Sequence, residues 1–190
     1  MKHVDYSSAL TLEQAHAIDK INPVWDENLQ SRCNQLQECA RDPDVNIVSE
    51  FGVYRGSSLI PIILTNPKKV IAVDTELRRL KEHNLALIEA YAKQHDIEIE
   101  LIEAMSVDEK SIRTVDFLHI DSLHEPNYLA KELDMHSNYV SKFIMFHDIK
   151  QNNWELWNVI DKFLKKSPSW KLKTKYEKGS CGYAVIERVQ

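Results

Sequence analysis

Five short apolar runs in this 190-residue chain close on acids, which read Glu50, Asp74, Glu103, Asp121 and Asp148 in order. The segments "FLHIDSLHEPNY" and "FIMFHDI" end two neighbouring runs, so Asp121, His147 and Asp148 can converge on one point, with His124 three residues beyond Asp121. Two carboxylates facing one point repel and raise each other's pKa unless a cation lies between them. A divalent cation, magnesium or manganese, held by Asp121, His147 and Asp148 removes that conflict. The imidazole of His147 tolerates manganese, iron or zinc better than magnesium. His119, one step inside its run, is read as packing or as support to this site.

The second constellation is "SEFGVYRGSSL", Ser49 to Leu59, with two of the four glycines. A phosphate-binding P-loop needs Lys and then Ser or Thr after its second glycine; Gly56 is followed by Ser57 and Ser58, which excludes one. A dinucleotide fingerprint needs G-x-G-x-x-G. This stretch reads E-x-G-x-x-x-G with bulky Tyr54 and Arg55 between the glycines, and Glu50 would repel a pyrophosphate. The same pattern suits a ligand with an amino group and no phosphate: Gly52 turns the loop, Glu50 accepts from an ammonium, and the helix start faces a carboxylate. Asp74 stands where a carboxylate accepts hydrogen bonds from both ribose hydroxyls. An amino acid joined to a nucleoside is S-adenosylmethionine. The rival reading of Gly52 and Gly56 is a tight strand-to-helix turn, and Glu50 alone also fits the charge of a helix N-terminus.

These residues need a sheet to hold them. "VNIVSEF" (Val45 to Phe51), "KVIAVD" (Lys69 to Asp74), "IEIELI" (Ile97 to Ile102), "VDFLHID" (Val115 to Asp121) and "KFIMFHD" (Lys142 to Asp148) read as parallel strands. Helical spacing of apolar residues predicts helices over Glu76 to Lys93, Asn127 to Val140 and Asn153 to Lys166, the last starting at an asparagine cap. "WKLKTKYE" and "CGYAVIERV", joined by a short loop containing Gly179, predict a closing antiparallel hairpin. The fold class is therefore α/β, a doubly wound Rossmann-like sheet whose ligands sit beyond the C-terminal strand ends.

Composition is that of an ordinary globular domain, with 43% hydrophobic and 28% charged residues. A single domain is expected over 1–190, with an N-terminal helical cap at 1–42 and the Rossmann-like core at 43–190. The net charge of −5 leaves no general basic field for nucleic acid, and the late lysines read as a solvated helix end and edge strand. The N-terminus lacks a signal peptide's apolar core and no run is long enough to span a bilayer, so a soluble cytoplasmic protein is expected. Cys33, Cys39 and Cys181 form no CxxC pair, so neither a disulfide framework nor a zinc site is indicated, and they are read as thiols outside any disulfide.

On "EFGVYRGSSL" and the ordered strand-end acids, the chain resembles the class I S-adenosylmethionine-dependent methyltransferases, and within them the small-molecule O-methyltransferases related to macrocin O-methyltransferase and the cephalosporin hydroxylase-like proteins. The resemblance runs from about Ile47 to Asp148 and, with the hairpin, implies the strand order 3-2-1-4-5-7-6. It places cofactor contacts at Glu50, Gly52, Tyr54, Gly56, Ser57, Asp74 and Asp121. "IEAMSVDE" falls where adenine contacts are expected, with Met105 in place of the usual acid; Ser106 is either such a contact or a helix cap. Asp121, His147 and Asp148 match the positions that hold a metal in metal-dependent relatives, His147 replacing an acidic or amide residue. His124 matches the general base of the macrolide-sugar methyltransferases; otherwise it is a surface loop histidine.

The activity implied is O-methylation of a small-molecule hydroxyl, of a sugar or glycosylated metabolite or else of a catechol, by Asp121 and His124 with a cation's help. A nicotinamide oxidoreductase and a non-catalytic binding protein of the same fold are the rival classes. The partners expected are a small-molecule hydroxyl acceptor and, in a homo-oligomer, a second copy of the chain, with no nucleic acid and no membrane. Tyr128, Asn152, Asn153 and Trp154 are acceptor-pocket candidates by position, and Trp25 is either a lid residue or core.

Overall fold

Strands rich in Val, Ile and Phe that are apolar on both faces need cover on both sides, and the computed structural model supplies it. The structure describes residues 9–21, 27–178 and 181–189; Trp25, Gly179 and the side chain of Asn152 lie outside the described residues. The sheet strands are β1 (Ile47–Phe51), β2 (Lys69–Asp74), β3 (Glu98–Glu103), β4 (Val115–Ile120), β5 (Val140–His147), β6 (Trp170–Tyr176) and β7 (Tyr183–Arg188). They form a seven-stranded sheet of order β3-β2-β1-β4-β5-β7-β6. The first five pair in parallel, and β7 runs antiparallel to both β5 and β6. This is the Rossmann-like architecture and terminal hairpin that the sequence implies.

The helices are α1 (Leu12–Ile21), α2 (Glu27–Ala40), α3 (Leu59–Ile63), α4 (Arg78–His83), α5 (Leu85–Gln94), α6 (Pro126–His136) and α7 (Gln151–Lys166). Alternate strand residues divide between two layers. Ile71, Val73, Ile144 and Phe146 pack with Leu129 and Leu133 of α6 and Leu156 and Ile160 of α7. On the opposite face Val70 and Ala72 pack with Leu12 of α1, Leu59 of α3 and Ile88 of α5, while Val48, Phe117 and Met145 pack with Leu36 of α2. The N-terminal helices are thus part of that second layer. Edge strands β3 and β6 carry Glu and Lys, which discourages pairing with another sheet.

Three helix expectations are corrected. The helix read over Glu76 to Lys93 is two helices, broken at Asn84, whose fully buried amide donates to Arg55 O at 2.7 Å. A side chain committed to the glycine loop outweighs helical continuity. The pattern to Val140 stops as an α-helix at His136 and tightens into a 3-10 turn over Ser137–Tyr139. Helix α7 is bounded by Gln151 with Lys150 as its cap residue and no side-chain capping bond among the described residues, and Asn153 and Trp154 take φ 56° and 73°, so Asn153 lies in an irregular first turn and is not the cap.

Register aligns the site. Phe51 pairs with both Val73 and Ile120, and Ile120 pairs with Phe146. The residues that follow, Gly52, Asp74, Asp121 and His147, therefore share one edge of the sheet.

Candidate functional site

Gly52 marks the closest approach along that edge. Its φ is +82°, and a Cβ built there would lie 2.1 Å from Asp121 O. Only a glycine lets the β1 loop lie against the end of β4. The chain then turns through Tyr54, a non-glycine residue at φ 52° whose amide donates to Asp74 Oδ2 at 2.8 Å. Such backbone costs about 1 kcal/mol or more and persists only where surrounding contacts hold it. Gly56, at φ +88°, passes within a Cβ's contact of Leu80 and donates its amide to Val53 O.

Beyond this loop lies a cavity of about 360 Å³. Gly52, Tyr54, Asp74, Met105, Ser106 and Asp121 all line it, with Tyr128 closing one side. Asp74 also accepts from Glu76 N, so its carboxylate is oriented by backbone on both sides while still forming cavity wall. An oriented carboxylate, a glycine-backed floor and an apolar side at Met105 fit an adenosine-bearing ligand.

Three residues of the reading do not line this cavity: Glu50, Gly56 and Ser57. Glu50 is fully buried, accepting from Ser58 Oγ and lying 3.0 Å from His119 Nδ1, with no partner for Oε2 among the described residues. It supports the floor through Ser58 and His119. The expectation of a helix start facing a carboxylate is also corrected, because α3 has only five residues and the hydroxyl of Ser58, its cap residue, is spent on Glu50.

The cavity ends at a cluster. His124 Nε2 lies 3.3 Å from Asp121 Oδ1 and 3.0 Å from Asp148 Oδ2, while His147 Nδ1 lies 3.0 Å and 3.4 Å from the same two oxygens. Asp148 takes φ 54°, strain held at a strand end. Arg32, almost fully buried on α2, points Nη1 at Asp121 Oδ2, 3.2 Å away. Burial alone would raise the Asp121 carboxyl, but the charge of His147, hydrogen bonds from both histidines and Arg32 hold it well below the usual carboxylate range. The hydrogen bond to Asp121, with the charges of Asp148 and Asp121, raises the His124 imidazole despite burial.

Donor atoms that could hold a metal fall into two overlapping groups among the described residues, Asp121–His124–Asp148 and His147–Asp148–Cys181, each within 4.8 Å. Asp148 belongs to both, and its Oδ1 is buried with no hydrogen-bond partner among the described residues. A buried carboxylate oxygen without a donor is a fit for a cation. The expected triple Asp121, His147 and Asp148 is brought together pairwise, with His147 between the acids.

Sequence reasoning missed Arg32, Cys181 and Glu132. Glu132 is fully buried on α6; one oxygen accepts from Ser106 and Ser122, and the other has no partner among the described residues. Burial pushes its carboxyl up to about 7 against the pull of those two hydroxyls. Ser106 also lies 3.0 Å from Tyr128 OH, so it is no helix cap; Asp108 takes that role. The signal for Glu132 was present, since it falls on the stripe of Leu129, Leu133 and His136. Arg32 and Cys181 carry no local signal. Asn153 and Trp154 do not line the cavity, and Trp154 stands beside Lys150 and Lys175 instead.

No family model matches the chain, and no curated protein matches it. Solved structures do. An O-methyltransferase from Bacillus cereus in complex with S-adenosylhomocysteine superposes with a TM-score of 0.61 at 13% identity, over 94% of this chain and 89% of that one. The N-methyltransferase NodS from Bradyrhizobium japonicum gives 0.64 at 12%, over 90% and 99%. A ribosomal protein L11 methylase from Lactobacillus delbrueckii gives 0.58 at 16%, over 87% and 81%. At these identities the likeness is one of fold, and the three differ in what they methylate. No helix among the described residues is long and apolar enough to cross a membrane.

Proposed function

We propose that the protein is an S-adenosylmethionine-dependent methyltransferase acting on a hydroxyl of a small molecule, with a divalent cation beside the acceptor. The observation that carries this is Asp121, which lines the cavity with Gly52 and Asp74 and meets His124 and His147 with the same side chain. Donor cavity and acid–histidine cluster share a wall, as a transfer between two bound molecules needs. S-adenosylmethionine supplies a sulfonium methyl group, and a cation at Asp148 would lower the pKa of the acceptor hydroxyl.

The chain's own residues do the rest. Asp74 accepts from ribose hydroxyls, and Met105 offers an apolar side to the adenine. Neutral His124 takes the acceptor proton, and Asp121 and Asp148 stabilise the imidazolium that forms. Those acids raise the His124 imidazole in the metal-free protein, so the base must lose a proton before it acts and turnover should rise with pH, while a cation on Asp148 would cancel part of that pull. A site with both base and cation suits an aliphatic hydroxyl with a hydroxyl neighbour, as in a sugar, better than an already acidic catechol. The resemblance of His124 and its spacing to the macrolide-sugar enzymes supports that choice.

Calorimetry with S-adenosylhomocysteine tests the donor side. Asp74→Ala removes the ribose acceptor and should weaken binding by about 1 to 3 kcal/mol, roughly fivefold to 150-fold. Equal affinity in the two proteins would remove the cofactor from this cavity.

A further inference from the structure

The return of the hairpin brings a sulfur to the cluster. Tyr183 at the start of β7 pairs with His147 at the end of β5, and two residues earlier Cys181 O accepts from Lys150 N at 3.0 Å. Gly182 makes this approach possible: at φ +66°, a Cβ there would lie 2.9 Å from Tyr176 O and 3.1 Å from Ile149 Cγ1. The chain is therefore pinned against Ile149 and Lys150, and Cys181 Sγ joins His147 and Asp148 with their ligand atoms within 4.8 Å of one another. Cys181 forms no disulfide. Independently, Asp148 is 6% exposed and its Oδ1 has no hydrogen-bond partner among the described residues.

We propose that His147, Asp148 and Cys181 form a mixed nitrogen, oxygen and sulfur site that takes a thiophilic divalent transition ion of the zinc class in preference to magnesium. This rests on the reading of Asp148 as the cation's seat and changes which ion sits there. Magnesium demands an octahedron of oxygens and sheds water reluctantly, whereas thiolate and imidazole select zinc, cobalt or iron. Three protein ligands of this kind leave a coordination position open, the arrangement of catalytic rather than structural zinc sites. Arg32 Nη1 lies 3.2 Å from Asp121 Oδ2 and 3.1 Å and 3.2 Å from the two ring nitrogens of His147, so an ion bound through His147 has to displace that guanidinium from the ring. The sulfur of Cys181 then sets the ion's place on the hairpin side of Asp148.

Cobalt is the probe. Titrating Co²⁺ into metal-free protein should produce a thiolate-to-cobalt charge-transfer band in the near ultraviolet, which zinc removes and a thousandfold excess of magnesium does not. Cys181→Ser should abolish the band and weaken zinc binding at least tenfold; His147→Ala should weaken zinc binding similarly while leaving the thiol in place. A band that persists in Cys181→Ser, or no band in the wild-type protein, overturns the proposal, as does displacement of cobalt by magnesium. Calorimetry with S-adenosylhomocysteine on the same samples keeps the two readings apart. Cofactor binding without the band leaves the methyltransferase standing and sinks the thiolate site; the band without cofactor binding does the reverse.

Discussion

The two halves of the site are built by different means. On the cavity side, β1 and β2 shape the wall with backbone: Gly52, the left-handed Tyr54 and an Asp74 carboxylate oriented by the amides of Tyr54 and Glu76. On the cluster side, β4, β5 and α2 bring charged groups together, with Asp121 in contact with His124, His147 and Arg32 and Asp148 in contact with the two histidines. The first half is shape, fixed by local conformation. The second is charge balance, assembled from segments far apart in the chain. A backbone-built cavity should fail all at once when its turn is blocked, whereas a charge cluster should lose chemistry before it loses ligand binding.

Gly52→Ala is the most severe way to break the joint between the halves. The added Cβ meets Asp121 O at 2.1 Å in a backbone conformation alanine resists, so the cost should exceed about 3 kcal/mol in urea unfolding. A cost below about 1 kcal/mol would mean that the two halves do not meet at Gly52. His124→Ala acts on the charged half alone. It should lower kcat about 100-fold while S-adenosylhomocysteine affinity stays within about twofold; equal losses in both would show that the halves are not separable.

Glu132→Gln sharpens the comparison with a smaller effect. Its folded carboxyl is raised to about 7 from 4.5, so the folded chain holds this proton more tightly than the unfolded one. That contribution is fully present below the unfolded pKa and is lost as pH rises through about 7, a change of about 3 kcal/mol at most. Glutamine keeps the acceptor for Ser106 and Ser122 without the charge. At pH 8 the variant should melt roughly 5 °C or more above the wild type, and near pH 4 the two should coincide. A melting difference independent of pH would assign Glu132 no titration in this range.

The same contrast explains what the sequence revealed. The strands, the hairpin and the row of strand-end acids were legible because apolar runs and their ends are local properties, and Gly52 and Asp74 follow from them; the strand order came with the family resemblance. The break at Asn84 was not, since a continuous apolar stripe masks a side chain committed to Arg55 O. Glu50 read as a ligand contact because its position ends a strand, but the pleat turns it inward to Ser58 and His119. Arg32 lies 89 residues from Asp121, and no spacing rule joins an α2 arginine to a β4 acid. Cys181 reaches Asp148 only through the antiparallel return of β7, which the hairpin implied without giving its register.

Methyl transfer to a hydroxyl is the central claim, and the most direct measurement follows the methyl carbon. Protein given S-adenosylmethionine with an isotopically labelled methyl group and a panel of small vicinal diols, sugars and catechols among them, should yield a labelled methoxy resonance in the NMR spectrum of one acceptor, and Asp121→Asn should remove it. Label appearing only on nitrogen or carbon, or no label leaving the cofactor with any acceptor while S-adenosylhomocysteine binds, would contradict the account.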